Sequence, residues 1–465
     1  MENIINSDYL VIGAGGMGMA FVDEILTQTS ATVTIVDQKH RPGGHWNEAY
    51  PFVRLHQTST CYGVNSTPLG QHRIDEFGLN KGCYELASGS EVVAYFDKVM
   101  RERFLPSGRV TYLRMSEYRK DGTVKSLACG TEYKVEAKKI VDASYIKVTV
   151  PSQRPPTFEV KPGATCVAVN ELPRLTPSHK HFTIVGSGKT GMDACLFLLE
   201  LGVNPDAITW VMPNDAWYFD RLSVNPGRKF TDAITSGQIK VLQAAIAADS
   251  LDDFFQRALA CGELLTLDPN VKPTRWRCAT VTKLELEYLQ KIKNVVRLGH
   301  VTSVGPGVMQ LQKGSREVPA DTLFVDCAAD GLAHRPAVKV FDGNRITLQT
   351  IRMCQQVYSG GFIGNVEANL TDEARKNELC RPIPLPYVAS DYIRCAIEGS
   401  ESMLTWLTEP KVVSWINESR IDLFSPYFDF DDPEVVKQIE AMGELLSVAI
   451  PKMKQLLAED ALAAA

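Results

Sequence analysis

The sequence predicts an α/β protein of two parallel-sheet units, with a helical C-terminal region. Three observations predict it. An apolar run breaks into a glycine-rich bend at residues 9–20, YLVIGAGGMGMA, and the same arrangement returns at residues 182–195, FTIVGSGKTGMDAC. Each is followed by a polar strand meander that closes on an apolar strand ending in Val-Asp, at Asp142 and at Asp326. A strand that feeds a glycine bend and then a helix, twice in one chain, is the signature of a doubly wound sheet.

In the first bend Gly13, Gly15 and Gly18 fit G-x-G-x-x-G, with Gly16 and Met17 between them. The first glycine permits the tight turn, the second lets backbone approach a pyrophosphate, and the third lets helix pack on strand. The next strand, ATVTIVD at residues 31–37, ends on Asp37, 19 residues beyond Gly18, where a carboxylate accepts from a ribose 2′-hydroxyl. The unpaired N–H groups and partial positive charge of the helix N-terminus complete a site for a dinucleotide phosphate.

The meander at residues 110–143 closes the first unit, and the proline-rich stretch at residues 150–163 reads as a linker. The second bend carries Gly186, Ser187, Gly188, Lys189, Thr190 and Gly191, followed by a helical run, a strand ITWVM at residues 208–212 and a meander at residues 295–328. The two units are Rossmann-like dinucleotide-binding domains, expected at residues 1–160 with 325–465 and at residues 161–324. YSGGFIGNVEANL at residues 358–370 reads as a short apolar segment ending at Gly364, with largely helical sequence after it. The last helix is capped by Asp432 with Pro433 in its first turn. Its apolar stripe of Val436, Ile439, Leu446, Ile450, Met453 and Leu457 reads as core or a subunit contact.

The chain has 465 residues and a net charge of −6, so it lacks the basic footprint of a nucleic-acid or anionic-lipid binder. No apolar run approaches the ~20 residues that span a membrane, and the early first strand leaves no room for a leader, which predicts a cytoplasmic protein. Its 11 cysteines include no C-x-x-C pair and read as small buried residues in a reducing compartment. His179 and His181 lack further ligands nearby, so no metal is expected. Trp217, Tyr218 and Phe219, with Arg275 and Arg277, offer an apolar pocket with an anion anchor or, more simply, core and surface.

On GAGGMG, Asp37, RPGGHW at residues 41–46, GSGKTG, the strand ends at Asp142 and Asp326, and FIG at residues 362–364, the chain resembles the flavoproteins with two dinucleotide-binding domains. Among them it resembles the flavin-containing and Baeyer–Villiger monooxygenases, over nearly its whole length. The resemblance implies FAD in the first unit and NADPH, with NADH an alternative, in an inserted second unit. It implies that Gly44 and Trp46 lie over the flavin side, that Met115 presents backbone to the adenine edge, and that Gly364 belongs to the cofactor site. By order along the chain, His56 and Gln57 become candidate catalytic residues near the flavin N5 and C4a atoms.

The chain also departs from that pattern. The F-x-G-x-x-x-H signature expected before the second loop is missing from CVAVNELPRLTPSHKHF, and Pro213 and Asn214 stand where relatives carry an arginine for the NADPH 2′-phosphate. Lys189 and Arg221 are the substitute cations, and Asp215 comes too late to select NADH. The expected function is an NAD(P)H-dependent flavin monooxygenase that uses molecular oxygen, through a C4a-peroxyflavin, on a small organic substrate. The alternative is an FAD-dependent dehydrogenase or oxidase reduced directly by its substrate, with the second nucleotide domain vestigial. A homo-oligomer is compatible with either.

Overall fold

The computed structural model describes residues 3–120, 122–147, 149–329, 335–429 and 431–464. Its first sheet places Asn3–Ile12 at the centre, between Val33–Val36 on one side and Glu132–Asp142 on the other, all parallel, with Val110–Leu113 outside Val33–Val36. Ile12 lies opposite both Val36 and Asp142, so the strands end level with one another at the glycine bend. Buried Val, Ile and Leu side chains make these strands apolar on both faces, as a sheet covered by helices requires.

The second sheet repeats the plan. Phe182–Val185 pairs in parallel with Ile208–Val211 and Leu323–Asp326, Asn294–Val296 lies beyond Ile208–Val211, and Thr165–Ala168 closes the other edge. Both meanders form as predicted from the repeat, but they attach differently. In the first unit Ser116–Tyr118 and Thr123–Ser126 join the main sheet, whereas in the second Val301–Gly305, Val308–Leu311 and Gly314–Glu317 form a separate sheet. Glu159–Val160, from the stretch read as a linker, pairs with that separate sheet.

The stretch at 216–281 adds a feature that the repeat does not predict: a small sheet of Ala216–Asp220, Leu264–Leu265 and Arg275–Val281, with helices Arg228–Ala247 and Leu251–Ala260. With the C-terminal helices it builds a third core around Trp217, Phe254, Trp276 and Tyr392. Trp217 and Tyr218 are buried there and in the second unit's core, while Arg275 and Arg277 both sit over the Tyr387 ring, 4.5 Å from its centre.

Gly364 is placed otherwise than expected. Residues 356–369 form one continuous helix, Gln356–Asn369, that packs along the first helix, Gly16–Gln28. A side chain on Gly364 would stand 2.9 Å from the Phe21 carbonyl oxygen, and one on Gly360 2.5 Å from that of Met17. Small residues let the two helix backbones approach closely; the FIG segment lies inside the helix and forms a helix-packing face, off the cavity wall. Among the described residues no helix is long and apolar enough to cross a membrane.

Candidate functional site

One large cavity, about 1480 Å³, is lined by parts of both units and of the C-terminal helices. Its first wall is the first glycine bend. Gly13 turns with φ 109°, Gly15 caps the first helix without a side-chain cap bond, and Gly13, Gly15, Gly16 and Met17 all reach the cavity. The leading N–H groups of that helix therefore face an open space of nucleotide size, where an anion is favoured. Gly18 stands outside the wall: its missing side chain makes room for the Gly13 carbonyl, the close packing expected of the third glycine.

Asp37 is buried and lines the same cavity. One carboxylate oxygen accepts from the Ala14 N–H at 2.6 Å and the other from the Lys39 N–H at 2.7 Å. Burial raises its pKa, and the two N–H donors work against that rise. Each oxygen keeps a lone pair, so the acid ties its own loop to the bend and still has capacity for a hydroxyl.

Gly43 and Gly44 adopt φ of 117° and 58°, and the Gly43 N–H donates to the Ala14 carbonyl at 2.9 Å. Their freedom serves a contact between two backbones, that of this turn and that of the glycine bend. Trp46 reaches the cavity, donates its indole N–H to the Tyr62 hydroxyl at 2.7 Å and stacks beside His45. Met115, with φ 48°, lies off the cavity wall and joins the meander to the Asp37 turn through its N–H bond to the Lys39 carbonyl.

His56 and Gln57 both line the cavity. The His56 carbonyl is held by the Arg221 Nε–H at 3.1 Å and by the Thr280 hydroxyl, while its ring Nδ1 is buried without a protein partner. Burial first, and then the charges of Lys189 and Arg221, push the His56 pKa down to about 3. His45, exposed at the cavity and stacked beside Trp46, is shifted in the same direction by the groups packed around it. Both rings are neutral near pH 7 and act there as hydrogen-bonding groups, not as proton-carrying cations.

The second bend contributes Lys189 and Thr190 to the cavity, while Gly186, Ser187 and Gly188 lie outside its wall. Gly188 caps the helix Lys189–Glu200 without a side-chain cap bond and faces open space. The Ser187 hydroxyl donates to the Asn214 carbonyl at 3.1 Å. Lys189 is ion-paired with Asp193, which also accepts from the Tyr50 hydroxyl at 2.6 Å, a bond between the two units. Arg221 does not replace the missing cation: it is buried, paired with Glu285 at 2.8 Å, and holds the His56 segment. Asp215 is occupied as well, by both arms of the Arg297 guanidinium at 2.9 Å.

Tyr62, His45, Arg352 and an apolar part of the lining are not identified from the sequence. Arg352 reaches the cavity while pairing with Asp422 and lying over the Tyr358 ring at 4.5 Å. Leu242, Met403, Met442 and Leu446 supply that apolar lining. The last helix, Pro433–Ala464, thus turns part of its stripe, Ile439, Leu446 and Ile450, into cavity wall, and Met453 enters the third core. The expectation of free cysteines fails at one pair: a disulfide joins Cys278 to Cys354, and both line the cavity. They are 76 residues apart, and no spacing rule announces such a bond.

No family model matches the chain. Among solved structures it is similar to a cyclohexanone-bound cyclohexanone monooxygenase, at 13% identity and TM-score 0.48 over 87% of this chain and 97% of that one. It is similar to an oxidized steroid monooxygenase bound to NADP, at 14% identity and TM-score 0.46 over 96% and 98%. A flavin-containing monooxygenase from Stenotrophomonas maltophilia matches at 14% identity and TM-score 0.41 over 74% and 85%. Much nearer in sequence are uncharacterized protein Rv2000 of Mycobacterium tuberculosis and uncharacterized protein Mb2023 of Mycobacterium bovis, each 48% identical over 422 residues, 90% of this chain and 78% of theirs. The chain belongs to the family of these mycobacterial proteins.

Proposed function

We propose that this protein is an FAD-dependent oxidoreductase, an NAD(P)H-dependent flavin monooxygenase acting on a small organic substrate. The observation that carries the reading is that the first glycine bend and the helix start behind the second reach one cavity, Gly15 and Gly16 from the first and Lys189 and Thr190 from the second. A hydride can pass between two dinucleotides only where their reactive ends share a space.

The residues present fit the cofactors. The uncapped helix N-terminus at Gly15 and the carboxylate of Asp37 suit the pyrophosphate and ribose of FAD, and the uncapped N-terminus at Gly188 suits a second pyrophosphate. A bound FAD would supply, after reduction by NAD(P)H, the electrons that activate oxygen. The protein's own part is to bind, orient and keep water out. Trp46, fixed by Tyr62, presents an aromatic wall. His56 offers a neutral ring nitrogen with no protein partner, and Arg221 and Thr280 fix its backbone. The apolar lining around Leu242, Met403, Met442 and Leu446 would receive the substrate.

One observation favours a second reading, in which the substrate reduces the flavin and the second unit is vestigial: Lys189, Arg221 and Arg297 are all engaged by carboxylates. Anaerobic addition of NADPH or NADH to the purified protein, with absorbance as the readout, separates the two. Bleaching of a flavin band and oxygen-18 from the gas in the product support the monooxygenase. Reduction by substrate alone, with no label incorporated, assigns the dehydrogenase or oxidase. His56→Ala is expected to raise hydrogen peroxide release while leaving flavin reduction by NADPH intact, because a donor lost from a preorganised site weakens the oxygen-dependent steps that come after reduction.

A further inference from the structure

The Cys278–Cys354 disulfide crosses the cavity wall, from the strand Arg275–Val281 of the small sheet to the segment that leads into the helix Gln356–Asn369. Two features set it apart from a simple fastening. The pairing of Ala216–Asp220 with Arg275–Val281 slips between Trp217/Trp276 and Phe219/Thr280, so that Arg277, Cys278 and Ala279 stand opposite Tyr218 alone. Bulges of this kind re-aim a side chain and concentrate beside functional sites. Among the described non-glycine residues, only four have a positive φ; Cys278 at 56° and Cys354 at 54° are two of them. Two residues with side chains held in a conformation that favours glycine, joined to each other on a cavity wall, mark a place where backbone strain is kept.

We propose that Cys278 and Cys354 form a thiol-exchanging redox site, a clasp whose state sets the freedom of the cavity wall. The reductant is a small dithiol, or two equivalents of a monothiol, admitted by the cavity. A thiolate attacks one sulfur, the S–S bond breaks, and a mixed disulfide forms as the other cysteine leaves as thiolate. The reductant's second thiolate then displaces the remaining cysteine. The protein gains two electrons and two protons, and the reductant becomes a disulfide. With the bond gone, the bulge at Cys278 and the turn at Cys354 are free to relax. The segment ahead of the helix is then tied by Arg352 to Asp422, by the Ile351 N–H bond to the Ser359 hydroxyl at 3.2 Å, and by Thr350, whose carbonyl and hydroxyl exchange two 2.8 Å bonds with the Ile383 backbone. The proposal does not depend on which cofactor the cavity takes.

The test uses the full-length protein as purified, with dithiothreitol as the probe. Differential alkylation and peptide mass spectrometry read the pairing before and after native reduction, and hydrogen exchange reads segments 275–281 and 350–356. The expected result is a Cys278–Cys354 crosslink that opens in folded protein, with exchange in both segments rising about tenfold on reduction. Cys278→Ser, or Cys354→Ser if the first variant does not fold, should match the reduced protein and no longer respond to dithiothreitol. The proposal is overturned if the two cysteines alkylate without reductant, if the crosslink opens only after denaturation, as a purely structural bridge would, or if it opens with no change in exchange.

Discussion

Gly44 lies so close to Gly15 that a Cβ placed on Gly44 would stand 3.0 Å from the Gly15 Cα. The turn carrying Trp46 is thereby seated on the bend that faces the cavity. Gly44→Ala must push that turn away and also hold a left-handed φ, a combined cost of about 1–3 kcal/mol. The expected outcome is a lower unfolding midpoint together with loss of flavin from the purified protein, read by denaturation and by absorbance. Normal flavin retention in a fully folded variant would separate the contact from the cofactor site.

The sequence makes legible those parts of the site whose physical constraints are short in range. Gly13, Gly18 and Asp37 are constrained by backbone geometry over a span of 25 residues, and such constraints leave a pattern; the same holds for Gly186 and Gly191. The place of Gly364 is not legible because a short apolar run with glycines does not say which surface it faces, and only the partner helix decides that. The pairs Arg221–Glu285, Arg297–Asp215 and Cys278–Cys354 join elements 64, 82 and 76 residues apart, and no periodicity encodes them. The C-terminal stripe is plain in the sequence, but a stripe does not say whether it faces core or cavity.

Gly364→Ala tests the placement of Gly364 in the helix contact. Its Cβ would meet the Phe21 carbonyl oxygen and the Glu24 Cβ, both at 2.9 Å, so the two helices must separate. Destabilisation of about 1–3 kcal/mol is expected, measured by denaturant titration. Flavin content per folded molecule should match that of the parent protein; a loss of flavin affinity at unchanged stability would restore Gly364 to the cofactor site.

The second bend allows binding to be separated from folding. A side chain at Gly188 meets nothing within 4 Å, so Gly188→Ala should leave stability within about 0.5 kcal/mol of the parent. If a pyrophosphate approaches there, the same change weakens NADPH and NADH alike in calorimetry. Lys189→Ala should weaken NADPH more than NADH, and Asp193→Asn, which releases Lys189 from its ion pair, should strengthen NADPH. Negligible binding of both nucleotides by the parent protein would favour the vestigial second unit.

The His56 imidazole gives the protein a pH response of definite sign. Its surroundings hold it down to about 3 in the folded chain, against 6.5 when unfolded, chiefly because burial penalises the charged form. Below 6.5 the unfolded chain takes up a proton that the folded chain refuses, so stability falls as pH drops from 6.5 towards that lower value. The group contributes a slope of up to about 1.4 kcal/mol per pH unit within its window. Glu24 works the other way: burial raises it from 4.5 to about 7, so its contribution grows as pH falls between those values. The net curve therefore mixes opposing terms, and the variants isolate them. His56→Gln should flatten the loss of stability between pH 6.5 and 4, whereas Glu24→Gln should steepen it, both measured by denaturant titration across that range. An unchanged acid limb in the His56 variant would mean that the ring is hydrated, and free to take up a proton, in solution.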